Sequence, residues 1–161
     1  MKLRNMTSVY FVGDQGILCL YRIGSKVANQ KYVGAAGGHF EKDELNDPRS
    51  CVLREMEEEL GLRESDVEDL TLRYITHRLK DGEIRQNYYF FGRLKGERPL
   101  SSTEGNLQWI GYDEFDDLPM PVSAKHMMRH YLKIGRFDNV LYAGITQENE
   151  TDFVPMKEFE G

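Results

Sequence analysis

The sequence predicts an α/β fold, and three features predict it: β-rich runs arranged as two hairpins, a helix between them bracketed by strong start and stop signals, and a second helix in the C-terminal third. At 161 residues, and at roughly 100 to 200 residues per domain, a single domain over 1–161 is expected. Residues 7–23 hold two β-rich runs, TSVYFV and ILCLYRI, on either side of Gly13-Asp14-Gln15-Gly16, turn formers that read as a hairpin. Residues 31–33 suggest a brief strand. The following Gly34-Ala35-Ala36-Gly37-Gly38 reads as a tight turn that brings backbone close to a ligand.

The helix is expected over 48–60. Asp47 supplies the N-cap, Pro48 takes the first helical position, and Gly61 stands just past the end. Residues 70–79 and 84–94 are rich in Tyr, Phe, Ile and Thr and are separated by Lys80-Asp81-Gly82-Glu83, so they read as a longer hairpin. A polar stretch over 95–106 leads to the short strand LQWIG, and a second helix is expected over 121–134 with Val122, Met127, Met128 and Tyr131 as its apolar contacts. A last short strand is expected near 140–145. The end, TQENETDFVPMKEFEG, shows no periodicity that assigns it a structure.

Composition excludes several classes of function. With 21 Lys plus Arg against 27 Asp plus Glu, the net charge of -6 disfavours binding to a nucleic-acid polymer, which needs cations that displace counterions. Hydrophobic residues at 40% and aromatics at 11% are too abundant for a disordered chain. No apolar run approaches the roughly 20 residues that cross a bilayer, so no membrane partner is expected. The start, MKLRNMTSVYFVG, lacks the apolar core of a signal peptide, and Cys19 and Cys51 are too few for a disulfide framework; a cytoplasmic location follows as the expectation.

The chemistry concentrates in the first helix, RSCVLREMEEELG. At 100° per residue, Val52, Leu53, Met56 and Leu60 share one stripe that should pack on the sheet. Glu55, Glu58 and Glu59 share another face, while Glu57 points elsewhere. Like charges at those spacings cost about 0.2–0.5 kcal/mol per pair, and the helix C-terminus disfavours anions further. A divalent cation reverses the sign, and carboxylate oxygens without a nearby thiolate suit Mg²⁺, or Mn²⁺, better than zinc. The bland alternative is a solvated acidic face.

Context weighs against that alternative. Gly37-Gly38, Glu41 and Glu44 stand upstream, and Arg54 is an interior cation able to hold a carboxylate by its fork. The segment resembles the Nudix box of the Nudix (MutT-type) hydrolases, G-x5-E-x7-R-E-U-x-E-E-x-G-U, where U is a bulky apolar residue. Gly38, Glu44, Arg54, Glu55, Met56, Glu58, Glu59, Gly61 and Leu62 fill every specified position. One departure exists: nine residues, Leu45 to Leu53, separate Glu44 from Arg54 where the pattern has seven. The extra length precedes Asp47-Pro48, so the helix's carboxylate face should be intact while the placement of Glu44 is open. The resemblance continues more weakly through Trp109-Ile110, Asp113-Glu114-Phe115 and Leu118-Pro119.

The resemblance implies an α/β/α sandwich with a mixed, mostly antiparallel sheet, and Mg²⁺-dependent cleavage of the diphosphate linkage in a nucleoside diphosphate joined to a group X. It implies that Glu55, Glu58 and Glu59, with the Gly37 carbonyl, hold the metal, that Arg54 orients the carboxylates, and that Glu55 takes the proton from the attacking water. A loop acid, Glu104 or Glu83, is the alternative base. Arg22, Lys31 and Gly38 are candidates for phosphate binding, and Trp109 or the run Tyr88 to Phe91 for stacking on a base, against the plainer readings of surface ion pairs and core aromatics. Overall length and the WIGYDEFDDLPMP region are similar to housecleaning members, which points to 8-oxo-dGTP, with ADP-ribose or another sugar nucleotide as the alternative. The partner is thus a small-molecule nucleotide, and a homodimer is compatible with the sequence.

Two other classes fit less well. An isopentenyl-diphosphate isomerase needs a catalytic cysteine that Cys51, inside the box helix, is badly placed to supply, and a noncatalytic module usually lacks the box glutamates retained here. His126 and His130 are four apart, but HMMRH lacks the glutamate of H-E-x-x-H, and both are expected to have a structural or surface role. Cys51 reads as a packed residue.

Overall fold

The computed structural model describes residues 1–24 and 29–161. Strand β1 (Lys2–Gly13) and β2 (Gly16–Arg22) pair antiparallel as expected, with Gly13 opposite Gly16, so only Asp14 and Gln15 make the turn. Then follow β3 (Tyr32–Gly34), β4 (Ala36–His39), helix α1 (Pro48–Leu60), β5 (Val67–Lys80) and β6 (Glu83–Leu94). The chain continues through β7 (Gly105–Ile110), helix α2 (Val122–Lys133), β8 (Tyr142–Thr146) and β9 (Thr151–Pro155). The sheet runs β3-β2-β1-β6-β5-β8-β9, with β4 also on β1 and β7 also on β2. Among the described residues only the pairs β1/β6 and β5/β8 are parallel, so the sheet is mixed and mostly antiparallel.

Two expectations are corrected. The stretch Gly34 to Gly38 is not a turn: it ends β3 and forms β4, which pairs antiparallel with β1 at Thr7↔Gly38 and Ser8↔Gly37. Its glycines serve close approach, since none has a positive φ and a Cβ on Gly37 would stand 2.9 Å from the Ser8 Cα and closer still to the Thr7 carbonyl. The C-terminal stretch does contain a strand, β9, which adds to the exposed edge of β8. Its stability comes from main-chain pairing at a solvent edge, where no hydrophobic alternation is required.

Alternation through β1 and β6 divides the core between two faces. Val9, Phe11 and Phe90 join Val52, Met56, Leu60 and Leu62 beneath α1, whereas Tyr10, Tyr89 and Phe91 join Met127, Met128 and Tyr131 beneath α2. The four consecutive aromatics from Tyr88 to Phe91 therefore serve both layers of an α/β/α sandwich. Burial of Val52, Met56 and Leu60 contributes about 1.5–3 kcal/mol each and fixes the rotation of α1 about its axis. Helix α1 starts where Asp47 accepts the Ser50 amide at 3.1 Å, with Pro48 at the first position. It stops where Gly61 adopts φ 67° and its amide reaches the Glu57 carbonyl.

On α2, Ser123 and Ala124 are buried beside Met127, Met128 and Tyr131, while Val122 is only half-buried. His130 is hydrogen-bonded to the Tyr74 hydroxyl at 2.8 Å and His126 to Thr151 at 2.9 Å, so both are structural, as expected. Cys19 and Cys51 are buried free thiols.

Candidate active site

The rotation of α1 that buries Met56 also presents Arg54, Glu55, Glu58 and Glu59 to the back of β4. Arg54 is the hub. Its Nε donates to Glu44 Oε2 at 2.8 Å and its Nη2 to Glu44 Oε1 at 2.9 Å, a two-toothed pair, while Nη2 also reaches the His39 carbonyl at 3.0 Å. Its Nη1 donates to Glu55 Oε1 at 2.9 Å and Glu58 Oε2 at 3.1 Å. The two-residue lengthening is thereby located: Glu44 is buried against Arg54, and its own side chain accepts the Glu41 amide at 3.0 Å, so the extra residues are absorbed between Glu44 and the helix.

The remaining acid behaves differently. Glu59 accepts the Gly37 amide at 3.2 Å and faces a cleft of about 170 Å³, which Gly37 and Gly38 also line. Gly38 must lack a side chain for a specific reason. A Cβ there would lie 2.6 Å from Glu55 Cδ and 2.9 Å from Oε2, inside the Glu55 carboxylate.

The electrostatics follow from this packing. The Arg54 hydrogen bonds hold the Glu44 carboxyl at about 2 despite burial. Glu55 is pushed up by burial, against the pull of Arg54 and with Glu58 adding to the rise. Glu59 is also pushed up, first by burial and then by Glu55 and Glu104, with the Gly37 amide opposing. Burial raises the Cys51 thiol to about 11, so it is a neutral packed group at its contact of 3.3 Å with Thr7.

Among the described residues no three His, Cys, Asp or Glu side chains form a ready metal cage. The donor chemistry nevertheless fits a hard divalent cation. Glu58 Oε1 accepts no hydrogen bond among the described residues, and the Glu55 carboxylate beside Glu59 adds to burial in disfavouring the charge of Glu59. What Gly37 visibly contributes is its amide, to Glu59.

Other expected residues divide cleanly. Arg22 and Glu104 both line the cleft and are paired at 3.4 Å, with Arg22 Nε buried and without a partner among the described residues. Lys31 is exposed and does not line the cleft. Trp109 is also outside it: β7 runs antiparallel to β2, which puts Gly105 beside Arg22 but carries Trp109 to the Asp14-Gln15 turn, where it covers Gly13. Glu83 does not line the cleft that Glu59 faces; it bridges Arg85 at 3.1 Å and Arg4 at 3.9 Å. Tyr89, buried at 4% exposure, does line the cleft, whereas Tyr88 packs on Phe40 on the other face. Sequence reasoning missed Arg4, Arg78, Arg85 and Asn87, all cleft residues.

The fold and the glutamate-rich helix behind a glycine strand define a phosphate-anhydride hydrolase of the Nudix class. The NUDIX domain family matches residues 2–131, so the chain belongs to this family and is a pyrophosphohydrolase. Among solved structures it is similar to a MutT protein from Bacillus halodurans, at 23% identity and TM-score 0.68 over 94% of this chain and 97% of that one. It is also similar to a MutT NUDIX hydrolase from Burkholderia pseudomallei, at 24% identity and TM-score 0.59 over 83% and 98%. A Caenorhabditis elegans Ap4A hydrolase has 12% identity and TM-score 0.64 over 86% and 100%. No curated protein matches. At these identities the solved structures show the fold alone. No helix among the described residues is long and apolar enough to cross a membrane.

Proposed function

We propose that this single domain is a cytoplasmic Mg²⁺-dependent hydrolase, with Mn²⁺ as a substitute, that cleaves the diphosphate linkage of a nucleotide, with 8-oxo-dGTP as the first substrate to test. One observation carries the reading: Arg54 holds Glu44, Glu55 and Glu58 together behind β4, while Glu59 turns past Gly37 into a cleft that also contains Arg22. Glu55, Glu58 and Glu59 would hold the metal, which when bound supplies the positive charge that a diphosphate and a chain of net charge -6 both lack. Arg54 is a positioning residue. It fixes the carboxylate rotamers through its fork and touches no substrate.

Gly38 leaves room for the Glu55 carboxylate, and Arg22, lining the same cleft, would offer its guanidinium to phosphoryl oxygens. Proton acceptance from water falls to Glu55 or Glu104. Glu55 has the raised affinity for a proton that burial produces, and Glu104 stands in the cleft within the field of Glu59. Glu83, tied to arginines, is set aside. Lys31 and Trp109 have no part in this reading.

The test is a panel of dGTP, 8-oxo-dGTP, ADP-ribose and a dinucleoside polyphosphate, with Mg²⁺, with Mn²⁺ and with chelator, products being separated by anion exchange and the oligomeric state, monomer or homodimer, read by light scattering. Metal-dependent release of a mononucleotide from at least one member is expected. Turnover undiminished by chelator would refute the metal assignment, and preference for ADP-ribose over every triphosphate would replace 8-oxo-dGTP.

A further inference from the structure

Away from the glutamates, the same cleft is strongly basic. Register places Arg4 of β1 opposite Arg85 of β6, and Arg85 opposite Arg78 of β5. Paired residues on adjacent strands project from one face of a sheet, so these three arginines form a row across it, and all three line the cleft. The next row outward is Lys2, Glu83 and Lys80. Two rows thus carry five cations and one carboxylate, on a chain whose net charge is -6.

Glu83 serves Arg85 at 3.1 Å, Arg4 at 3.9 Å and Lys2 at 4.0 Å, whereas Arg78 makes no ion pair among the described residues. Like charges directly opposite on neighbouring strands destabilise a sheet, and a single shared carboxylate with the Arg4–His39 contact of 3.0 Å offsets three guanidiniums only in part. Nor is the row a fully solvated surface: the side chains of Arg4 and Arg85 are 26% and 33% exposed. A second, independent feature points the same way. Pro121 to Ala124, the uncapped start of α2, line the cleft too, and a helix N-terminus directs amides and positive potential at whatever lies there.

We propose that the arginine row, with the start of α2, is a subsite for phosphoryl groups beyond the diphosphate being cleaved, and that this hydrolase selects substrates with three or more phosphoryl groups. The inference rests on the hydrolase reading above. Ser8, in register with Gly37, lies four residues along β1 from Arg4, roughly 13 Å at 3.3 Å per residue, a gap that the long arginine side chains narrow. One ligand can therefore place a diphosphate at Glu59 and its further phosphoryl groups among the guanidiniums.

Two measurements test this. In the first, the ratio of kcat/KM on dGTP to that on dGDP is compared between the native chain and the double variant Arg78→Gln/Arg85→Gln; a fall of about tenfold or more is expected, since each charge-assisted hydrogen bond lost is worth about that factor. An unchanged ratio overturns the proposal and leaves the hydrolase reading standing. In the second, calorimetry follows inorganic tripolyphosphate binding in chelator, where metal is out of play. Binding by the native chain, weaker by about tenfold in the double variant and tighter in Glu83→Gln, is expected. Absence of binding by the native chain, or indifference to all three substitutions, overturns the proposal, and the tightening in Glu83→Gln is a gain that misfolding cannot mimic. Tripolyphosphate binding without hydrolysis of any panel member would instead refute the hydrolase reading alone.

Discussion

Adjacent glycines of β4 should respond to the same substitution in opposite ways. At Gly38 an added Cβ falls 2.6 Å from Glu55 Cδ, short by about 0.8 Å of the 3.4 Å at which ordinary contact begins. The obstacle is the far end of a side chain, so the backbone can stay while the carboxylate moves. Glu55 cannot move freely, because it is buried and tied to Arg54 Nη1 at 2.9 Å. A displacement near 1 Å at a reacting or metal-holding group can cost about 100-fold in rate. Gly38→Ala should therefore fold with a change in stability of about 1 kcal/mol and lose 10- to 100-fold in kcat, with a higher Mg²⁺ concentration for half-activity.

At Gly37 the obstacle is backbone, the Thr7 carbonyl and the Ser8 Cα at 2.9 Å, so Gly37→Ala must push β4 off β1 and lose about 1–3 kcal/mol of stability. Thermal denaturation of both variants, beside a phosphate-release assay across a Mg²⁺ titration, separates the two effects. Native turnover and metal dependence in a folded Gly38→Ala protein would refute the placement of Glu55.

Two further outcomes follow from the same geometry. Glu58, with its side chain 57% exposed, should be replaceable by Gln with less than about 0.5 kcal/mol lost, yet turnover should fall by orders of magnitude; near-normal turnover with Mg²⁺ removes it from the metal site. Glu44 titrates near 2 in the folded chain against an ordinary 4.5, and its side chain is only 7% exposed, so its ionised form contributes up to about 3 kcal/mol. That contribution is complete above about 4.5 and is lost as pH falls toward 2, so the stability gap between the native chain and Glu44→Gln, read by urea denaturation, should be constant near neutrality and shrink over that window. A gap independent of pH would show that Glu44 is not held by Arg54.

Local signals made α1 readable to the residue. Asp47, Pro48 and Gly61 act within the chain segment they bound, and the stripe of Val52, Met56 and Leu60 needs no knowledge of its partner strand. The β1/β2 and β5/β6 hairpins were legible for the same reason, since turn and strands are contiguous. Lys2 to Asn5 were not, because their strand state depends on parallel pairing with residues eighty positions away. The glycines of 34–38 misled for a physical reason: glycine is used both for positive φ and for close approach, and a sequence does not distinguish them. Here the Thr7 carbonyl and the Glu55 carboxylate demand the second use.

The site divided along the same line. Arg54, Glu55, Glu58 and Glu59 were legible because helical periodicity and one motif set their faces. Arg22 and Glu104 are far apart in sequence and are joined by the β2/β7 register, which also removes Trp109 to the other end of the strand. The pairing of Arg78 with Arg85 could have been read by counting outward from Asp81-Gly82, as the hairpin turn fixes that register. Arg4 could not, for its place in the row depends on the β1/β6 pairing.

One cleft thus holds two clusters that each oppose the fold. Glu55 and Glu104 raise the cost of ionising Glu59 at one end, and Arg4, Arg85 and Arg78 crowd like charges at the other. Neither cluster is relieved by the other: Glu55 leans on Arg54 and Glu59 on the Gly37 amide, while Arg4 and Arg85 share Glu83. If the arrangement served stability, the shortest solution would be to pair the two, and the four-residue spacing along β1 between Ser8 and Arg4 keeps them apart instead. On the reading proposed above, a cation bound at the glutamates and a phosphoryl chain running from it to the arginines would satisfy both ends with one ligand, which would make metal and polyphosphate parts of a single electrostatic requirement.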